Sequence, residues 1–239
     1  MTLLLGVALF AAGCTTAQPT AFNPEPIPPH PTGVKARVPQ PPPVAVAPAP
    51  APQPASFSGN GSFRYYPESS WTKERPIDSR LEPMGKITCI TIHHEGDMPI
   101  PGDTRSVAEH LSDIRKVHVN ERRWGDIGYH FLIDAQGNVW EGRPLMYQGA
   151  HAGNQDANRG NVGICLLGDF DTNKPTAAQK ESLRKLTFKL MAQYNVPVSR
   201  VYTHREIKEK FGLGNTDCPG RNLQGYVNDL RQELRTAQR

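Results

Sequence analysis

Three short strand-like segments constrain the fold of this chain more than any other feature of its sequence. They cover residues 87–93, 128–134 and 162–167. Apolar residues recur at helical spacing in segments 104–120, 176–194 and 223–235. Short, continuously apolar runs such as the first are typical of strands buried on both faces. Strands that alternate with helices predict an α/β fold in which helices flank a central, mainly mixed β-sheet.

A hairpin is predicted directly after the second strand-like segment. Residues 134–138, Asp-Ala-Gln-Gly-Asn, have a turn composition, and residues 139–141 return as a short strand. The sequence contains no internal repeat, and its 239 residues allow one domain plus appendages. We therefore assign residues 56–239 to a single folded domain.

The N-terminal apolar stretch, residues 3–12, is too short to cross a bilayer as a helix but suits the core of a signal peptide. It ends in Ala11-Ala-Gly-Cys14. Small residues directly before a cysteine resemble the lipobox of bacterial lipoproteins, in which the cysteine is lipidated and becomes the new N-terminus. The resemblance implies that residues 1–18 are a lipoprotein signal peptide with Cys14 as the membrane anchor. The alternative is a secretory signal that is cut nearby, which leaves Cys14 without a role.

Proline dominates the segment that follows. Residues 19–54 contain 14 of the 23 prolines of the chain. This composition cannot build a hydrophobic core and predicts an extended, disordered, polyproline-like linker over residues 19–55. At about 3.1 Å per residue the linker would reach on the order of 100 Å, which would let an anchored domain search a nearby polymer. A proline-rich ligand for another domain is the alternative.

Three cysteines lie in the predicted folded domain. Cys89 and Cys165 belong to strand-like apolar runs, where a buried free thiol is the usual state, although export would also allow them to pair. Cys218 instead lies in a polar loop rich in glycine and proline, Thr216-Asp-Cys-Pro-Gly220. A thiol in such a loop indicates a metal ligand.

Two histidines complete a candidate metal site with Cys218. His93 ends the first strand-like segment, and His204 precedes Arg-Glu in a segment expected to be a loop. Two imidazoles and a thiolate suit zinc and leave one coordination position open, as in catalytic rather than structural zinc sites. Considered singly, His93 has a simpler interpretation as a hydrogen-bonded strand-end residue, and His204 as a surface loop residue.

Ordered sequence segments around these residues strengthen the interpretation. They are Ile90-Thr-Ile-His-His94, Trp124-Gly-Asp-Ile-Gly-Tyr-His-Phe131, Glu141-Gly-Arg143, Gly149-Ala-His-Ala152, Asn161-Val-Gly-Ile-Cys-Leu-Leu-Gly168, His204-Arg-Glu206 and Thr216-Asp-Cys-Pro-Gly220. Together they resemble the zinc-dependent N-acetylmuramoyl-L-alanine amidase type 2 family, which includes phage amidase-lysozymes and animal peptidoglycan recognition proteins. The resemblance covers roughly residues 85–222. It implies a fold like that of the peptidoglycan recognition proteins for a single catalytic domain.

The resemblance implies a role for each matching residue around the metal. His93, His204 and Cys218 match the three zinc ligands. Tyr129 matches the tyrosine beside the metal, and its hydroxyl would help to stabilise the oxyanion. Thr216 falls where phage members carry a lysine and recognition-protein amidases carry a threonine. Its hydroxyl would hydrogen-bond to the attacking water or to the intermediate.

The resemblance also implies a muramyl-peptide groove lined by His151 and Asn158. The segment between these residues is slightly longer than in relatives, so residues 153–157 are expected to form a reshaped loop. Arg143 is either a groove residue that contacts a peptide carboxylate or a structural ion-pair partner of the hairpin. His118, at the end of the first helix, is expected to pack or hydrogen-bond rather than to bind the metal.

These features predict a zinc-dependent enzyme that hydrolyses the amide bond between N-acetylmuramic acid and L-alanine of peptidoglycan stem peptides. The alternatives are a non-catalytic peptidoglycan-binding module and an unrelated zinc hydrolase that acts on stem peptides. Cys218 favours the enzyme over the module, because non-catalytic recognition members lose this ligand.

Charge and the N-terminal segments predict the partners and the location. The net charge of +4 is too small to indicate nucleic acid as a partner. Peptidoglycan or its muropeptide fragments are the expected partner. The lipid anchor and the linker predict an outer-membrane lipoprotein of the cell envelope that faces the periplasm.

Overall fold

The computed structural model describes residues 63–96 and 104–237 of the chain. The predicted signal peptide with Cys14 and the predicted linker over 19–55 lie outside these residues and stay predictions. Within the described ranges, no helix combines the length and the apolar character that crossing a membrane requires.

Six strands form one mixed β-sheet at the centre of the domain. They are β1 Tyr65–Tyr66, β2 Cys89–His94, β3 Phe131–Ile133, β4 Val139–Glu141, β5 Asn161–Leu166 and β6 Val201–Thr203. Their spatial order is β1-β4-β3-β5-β2-β6. The hairpin strands β3 and β4 are antiparallel, while the other neighbouring strands pair in parallel. The predicted mixed sheet and its hairpin are confirmed.

Helices pack on both faces of this sheet. In the described residues they are α1 Thr104–Lys116, α2 Gln155–Asn158, α3 Ala177–Tyr194, α4 His204–Lys210 and α5 Arg221–Ala237. A π-helical turn, Val117–Glu121, continues α1, and 3-10 turns occupy Glu68–Ser70, Asp78–Arg80 and Val198–Arg200. The helix start predicted at residue 176 is confirmed. Thr176 and Gln179 form a capping box at the N-terminus of α3.

The two largest hydrophobic clusters of the described residues lie on opposite faces of the sheet. Ile90 and Ile92 of β2 lie in the cluster that includes the leucines of α3 and α5. Side chains alternate along a strand, so Thr91 and His93 face the other side, where Leu111 of α1 packs in the second cluster. Alternation therefore directs His93 to the α1 side of the sheet.

The third predicted strand is shifted by one residue, to Asn161–Leu166, and the other two begin later than predicted for reasons of hydrogen bonding. The first begins at Cys89 rather than at residue 87, because the backbone N–H groups of Thr88 and Cys89 both donate to the carbonyl of Gly160. The second is confined to Phe131–Ile133, because the N–H of Gly128 donates to Nδ1 of His118 instead of a neighbouring strand. The irregular segment before β3 thereby turns towards the end of α1.

Candidate metal centre

The three candidate ligands meet where β2 and β6 end. The ligand atoms of His93, His204 and Cys218 all lie within 4.8 Å of one another. The ring centroids of His93 and His204 are 4.6 Å apart, and Cys218 Sγ lies 3.8 Å from Nδ1 of His93. Because β2 and β6 are parallel neighbours, their carboxyl ends lie at one edge of the sheet. The structure thus assembles the set of ligands that the sequence predicts.

His204 is the first residue of α4, so its predicted position in a loop is wrong. Oγ1 of Thr203 accepts a hydrogen bond from the N–H of Glu206, and Oε2 of Glu206 accepts one from the N–H of Thr203. This is a capping box, and the spacing Thr-x-x-Glu is a signal that the sequence contained. Arg231 of α5 donates two hydrogen bonds of 2.7 and 2.8 Å to Glu206. The helix start that carries His204 is therefore anchored to α5.

Cys218 lies in the loop before α5, and this loop is tied to α4. The N–H of Arg205 donates to the carbonyl of Cys218, and the Arg205 guanidinium donates to the carbonyls of Thr216 and Asp217. The N–H of His94 donates to Cys218 Sγ over 3.4 Å. A hydrogen bond to sulfur favours the thiolate, which is the form of cysteine that binds metal ions.

The donor set fits a zinc ion. Burial lowers the pKa of His93 well below its usual value and the pKa of His204 to about 4, so both rings are neutral near pH 7 and offer a lone pair. Nε2 of His204 is buried, and no group of the described residues hydrogen-bonds to it. Burial raises the pKa of the Cys218 thiol to about 12, a shift that a bound cation opposes. Two neutral imidazoles and a cysteine sulfur are ligands that zinc prefers.

Tyr129 borders this centre. Its ring centroid lies 5.3 Å from that of His93. Burial, together with the nearby Cys165 and Cys218 thiols, raises the pKa of Tyr129 well above its usual value. The hydroxyl therefore stays protonated and remains a hydrogen-bond donor at neutral pH.

Thr216 lies at the start of the loop that carries Cys218. Its Oγ1 accepts a hydrogen bond from the N–H of Cys218 at 3.3 Å. This contact fixes the Thr216 hydroxyl close to Cys218. A role of Thr216 in the reaction stays a prediction.

His151 and Asn158 line the groove, and their polar atoms also bond within the protein. Nδ1 of His151 lies 3.0 Å from Nε2 of His93, and Nε2 of His151 lies 3.1 Å from the carbonyl oxygen of Asn161. Oδ1 of Asn158 accepts hydrogen bonds from the N–H groups of His151 and Ala152. The Asn158 amide thus shapes the segment that carries His151. Direct contact of either residue with a substrate stays a prediction.

The segment between these residues forms a helical turn. Asn154 caps α2 by accepting a hydrogen bond from the N–H of Ala157, and Asn158 is the last residue of α2. The predicted loop over 153–157 is therefore partly helical.

Arg143 is buried and bonded to backbone carbonyls. Its guanidinium donates to the carbonyls of Ile127, Gln148 and Asp126 over 2.6–3.0 Å. Burial lowers the pKa of Arg143 to about 10. These bonds hold together the chain segments that form one wall of the groove, in place of the ion pair to the hairpin that the sequence suggested. A contact with substrate stays a prediction.

A groove of about 570 Å³ opens beside the candidate metal centre. Tyr129, His151 and His204 lie in its lining, together with His118 and Trp124. Nδ1 of His118 accepts a hydrogen bond from the N–H of Gly128. Burial lowers the pKa of His118 to about 3, so its ring is neutral. His118 therefore hydrogen-bonds within the protein, as the sequence predicted.

The groove has a basic rim that sequence reasoning missed. Exposed or half-buried cationic residues that line it are Arg80, Arg122, Arg123 and Lys208, whereas Glu82 is its acidic lining residue. The Arg122 guanidinium lies 5.4 Å from the centre of the Trp124 ring. Arg123 has a φ of 60°, which is uncommon for a residue other than glycine and turns the chain between α1 and Trp124. The Arg-Arg pair directly before the tryptophan was the available signal.

Comparison with known proteins agrees with this architecture. The chain is 37% identical over 154 residues to peptidoglycan-recognition protein SC2 of Drosophila melanogaster, covering 64% of this chain and 79% of that protein. It is 37% identical over 135 residues to the endolysin of Escherichia phage T7, covering 54% of this chain and 80% of that protein. A solved structure of a tyrosine-to-phenylalanine mutant of Drosophila PGRP-LB in complex with tracheal cytotoxin matches with a TM-score of 0.58 and 27% identity, covering 66% of this chain and 89% of that chain.

The family described as N-acetylmuramoyl-L-alanine amidase matches residues 83–221. This range runs from just before β2 to the first residue of α5 and contains the three candidate ligands, Tyr129 and all of the groove lining except Arg80 and Glu82. The chain therefore belongs to the N-acetylmuramoyl-L-alanine amidase family.

Proposed function

We propose that this protein is a zinc-dependent N-acetylmuramoyl-L-alanine amidase, which hydrolyses the amide bond between N-acetylmuramic acid and the L-alanine of peptidoglycan stem peptides. The observation that carries the proposal is the convergence of His93, His204 and Cys218 within 4.8 Å, beside Tyr129. Family membership supports the amide between the sugar and L-alanine as the target bond. The complete set of three candidate ligands supports cleavage of that bond.

The residues around the centre suit amide hydrolysis. A zinc ion held by the three ligands would polarise the scissile carbonyl and lower the pKa of the attacking water to about 7. The protonated Tyr129 hydroxyl would donate a hydrogen bond to the oxyanion as negative charge develops on the carbonyl oxygen. The Thr216 hydroxyl, fixed by the N–H of Cys218, would orient the water or the intermediate from the loop side.

The groove suits an acidic peptide attached to a sugar. Stem peptides carry free carboxylates, and among the described residues the rim supplies four cationic side chains, whereas Glu82 supplies one carboxylate to the lining. Opposite charge favours encounter and binding of such a ligand. A groove of about 570 Å³ lies within the usual range for small-ligand sites, which is about 300–1,000 Å³. We infer that muropeptides are the partner.

A peptidoglycan-binding module without catalysis is the alternative, since relatives of this chain are named recognition proteins. Binding alone requires the groove but not three metal ligands. The buried, unbonded Nε2 of His204 favours the enzyme, because a buried nitrogen without a partner costs stability unless an ion occupies it.

The proposal includes a location in the cell envelope. Cys14 would anchor the protein in the outer membrane, and the linker would let the domain reach peptidoglycan from the periplasmic side. Incorporation of labelled palmitate into the wild-type protein, but not into Cys14→Ser, is the expected result. Equal labelling of both proteins would contradict the lipid anchor at Cys14.

The catalytic proposal is tested by digesting isolated peptidoglycan with wild-type, Cys218→Ser and Cys89→Ser proteins, and by measuring the zinc content of each. Cys89 lies at the start of β2 and is the matched control thiol. Wild-type and Cys89→Ser should release stem peptides and contain zinc, whereas Cys218→Ser and chelator-treated wild type should do neither. Full release by zinc-free Cys218→Ser protein would refute the proposal.

A further inference from the structure

One buried histidine connects a candidate metal ligand to the backbone of the central sheet. Nδ1 of His151 faces Nε2 of His93 at 3.0 Å, and Nε2 of His151 faces the carbonyl oxygen of Asn161 at 3.1 Å. Asn161 is the first residue of β5, the strand that pairs with β2 along its whole length. The ring of His151 therefore bridges His93 and a fixed point of the scaffold.

The partners of these two rings determine which nitrogen atoms carry protons. A backbone carbonyl only accepts hydrogen bonds, so Nε2 of His151 must carry a hydrogen. In a neutral ring Nδ1 of His151 is then an acceptor, and Nε2 of His93 must donate to it. The lone pair of His93 is left on Nδ1, the atom that lies 3.8 Å from Cys218 Sγ. The opposite tautomer of His93 would place a hydrogen on that atom and block it as a ligand.

The surroundings of His151 hold its ring in this orientation. A Cβ atom added to Gly149 or to Gly163 would lie 2.5 Å from Cδ2 of the ring, so both positions leave room only for glycine. The backbone N–H of His151 is fixed by Oδ1 of Asn158 at 2.9 Å. The ring is thus enclosed between two backbone segments and bonded at both of its nitrogen atoms, and the backbone N–H of His151 provides a third anchor.

We propose that His151 is a positioning residue that fixes His93 in the tautomer and orientation needed to bind the metal through Nδ1. This inference rests on the proposed function and deepens it, because it assigns His151 to the metal centre rather than to substrate contact. Gly149, Asn158, Asn161 and Gly163 form the frame that holds the ring. A partner on the second nitrogen of a ligating histidine fixes its tautomer and raises its basicity, and its loss typically costs about 10–100-fold in metal affinity.

Two substitutions separate the two hydrogen bonds of His151. In His151→Asn, Oδ1 stands the same number of bonds from the backbone as Nδ1 and keeps an acceptor for His93. In His151→Gln, the amide nitrogen stands at the level of Nε2 and keeps the bond to Asn161, while the acceptor oxygen stands one bond farther from the backbone than Nδ1 and is out of place for His93. His151→Leu removes both bonds. Zinc affinity of the full chain is measured by competition with a chromophoric chelator, and the cobalt-substituted proteins are compared by visible absorption.

We expect His151→Gln and His151→Leu to lose about 10–100-fold in zinc affinity, with altered cobalt spectra. His151→Asn should remain closer to wild type than to His151→Leu. Wild-type zinc affinity in His151→Gln and His151→Leu, with a raised KM, would overturn the inference and assign His151 to substrate binding. An equal loss in all three variants would also overturn it, because the acceptor would then be irrelevant. Failure of the wild type itself to bind zinc would instead reject the proposed function, and no substrate is needed to see the difference.

Discussion

Cys218 Sγ lies 3.8 Å from Nδ1 of His93, although the two residues are 125 positions apart in the chain. Parallel pairing of β2 with β6 places His93 beside the start of α4, and Arg205 of α4 binds the loop that carries Cys218. The sheet edge, the capped helix and the loop therefore form one unit.

Replacement of Tyr129 by phenylalanine tests the oxyanion contact. The ring would keep its packing against His93, while the protonated hydroxyl is lost. We expect kcat to fall about 10²–10³-fold, as for removal of one oxyanion donor, with zinc content unchanged. Steady-state kinetics on a soluble muropeptide measure the effect. An unchanged kcat would exclude Tyr129 from the chemistry.

Reversal of charge at Arg122 and Arg123 tests the basic rim. With glutamate at both positions, KM for an acidic muropeptide should rise, because these exposed side chains line the groove. Added salt should raise the wild-type KM more than that of the variant, since screening weakens attraction between exposed charges. Lys174→Glu, an exposed residue outside the groove lining, is the control and should leave KM unchanged. Equal KM values in the variant and the control would contradict the role of the rim.

Replacement of Arg143 by lysine separates scaffold from substrate contact. A single ammonium cannot reproduce the three hydrogen bonds to the carbonyls of Ile127, Gln148 and Asp126. We expect the free energy of unfolding to fall by about 1–3 kcal/mol, because buried carbonyls lose their partners. Arg159→Lys, at an exposed ion pair with Asp156, should change it by about 0.5 kcal/mol or less. Unchanged stability with a raised KM would show that Arg143 serves the substrate instead.

The raised pKa of Glu68 predicts that the free energy of unfolding falls as pH rises. Burial, followed by the nearby charges of Asp126 and Glu141, raises the pKa of Glu68 from 4.5 to about 8, although Arg115 lowers it. Oε1 of Glu68 and Oδ2 of Asp126 are both buried, and a hydrogen bond between the two carboxyl groups also raises the pKa of Glu68. Between pH 4.5 and about 8 the folded state binds more protons at Glu68 than the unfolded state, so stability falls across this window.

The test is the Tm of Glu68→Gln relative to wild type as a function of pH. The glutamine amide does not ionise. The Tm of the variant relative to that of the wild type should therefore increase steadily as pH rises through this window. Glu74→Gln, an exposed control, should show no such trend. A constant difference between Glu68→Gln and wild type would contradict the raised pKa of Glu68.

Much of the fold followed from local patterns. Residues close together in the sequence indicate several elements. These are strands β2 and β5 with their apolar runs, the turn between β3 and β4, and the start of α3 after Thr176. The sequence also predicted the three candidate ligands that the structure brings within 4.8 Å of one another, because each lies in a recognisable segment. The start of α4 was missed even though Thr203 and Glu206 form a capping box, because this helix has only 7 residues and too few turns to show a periodic pattern.

The remaining parts of the site depend on contacts between distant segments. Arg143 bonds to backbone carbonyls, which carry no side-chain signal in the sequence. The contact of His151 with His93 joins residues 58 positions apart, and its geometry depends on the register of β2 and β5. Sequence can place such residues near a groove, but only the assembled sheet shows which atoms face each other.

Mass spectrometry of the products from a defined disaccharide-peptide muropeptide tests the central claim most directly. The full-length protein is incubated with this substrate with and without a zinc chelator. We predict a stem peptide with a free N-terminal L-alanine and a peptide-free disaccharide, formed only when zinc is available. Cleavage between two amino acids of the stem, or the same products in the presence of chelator, would contradict a zinc-dependent amidase built on His93, His204 and Cys218.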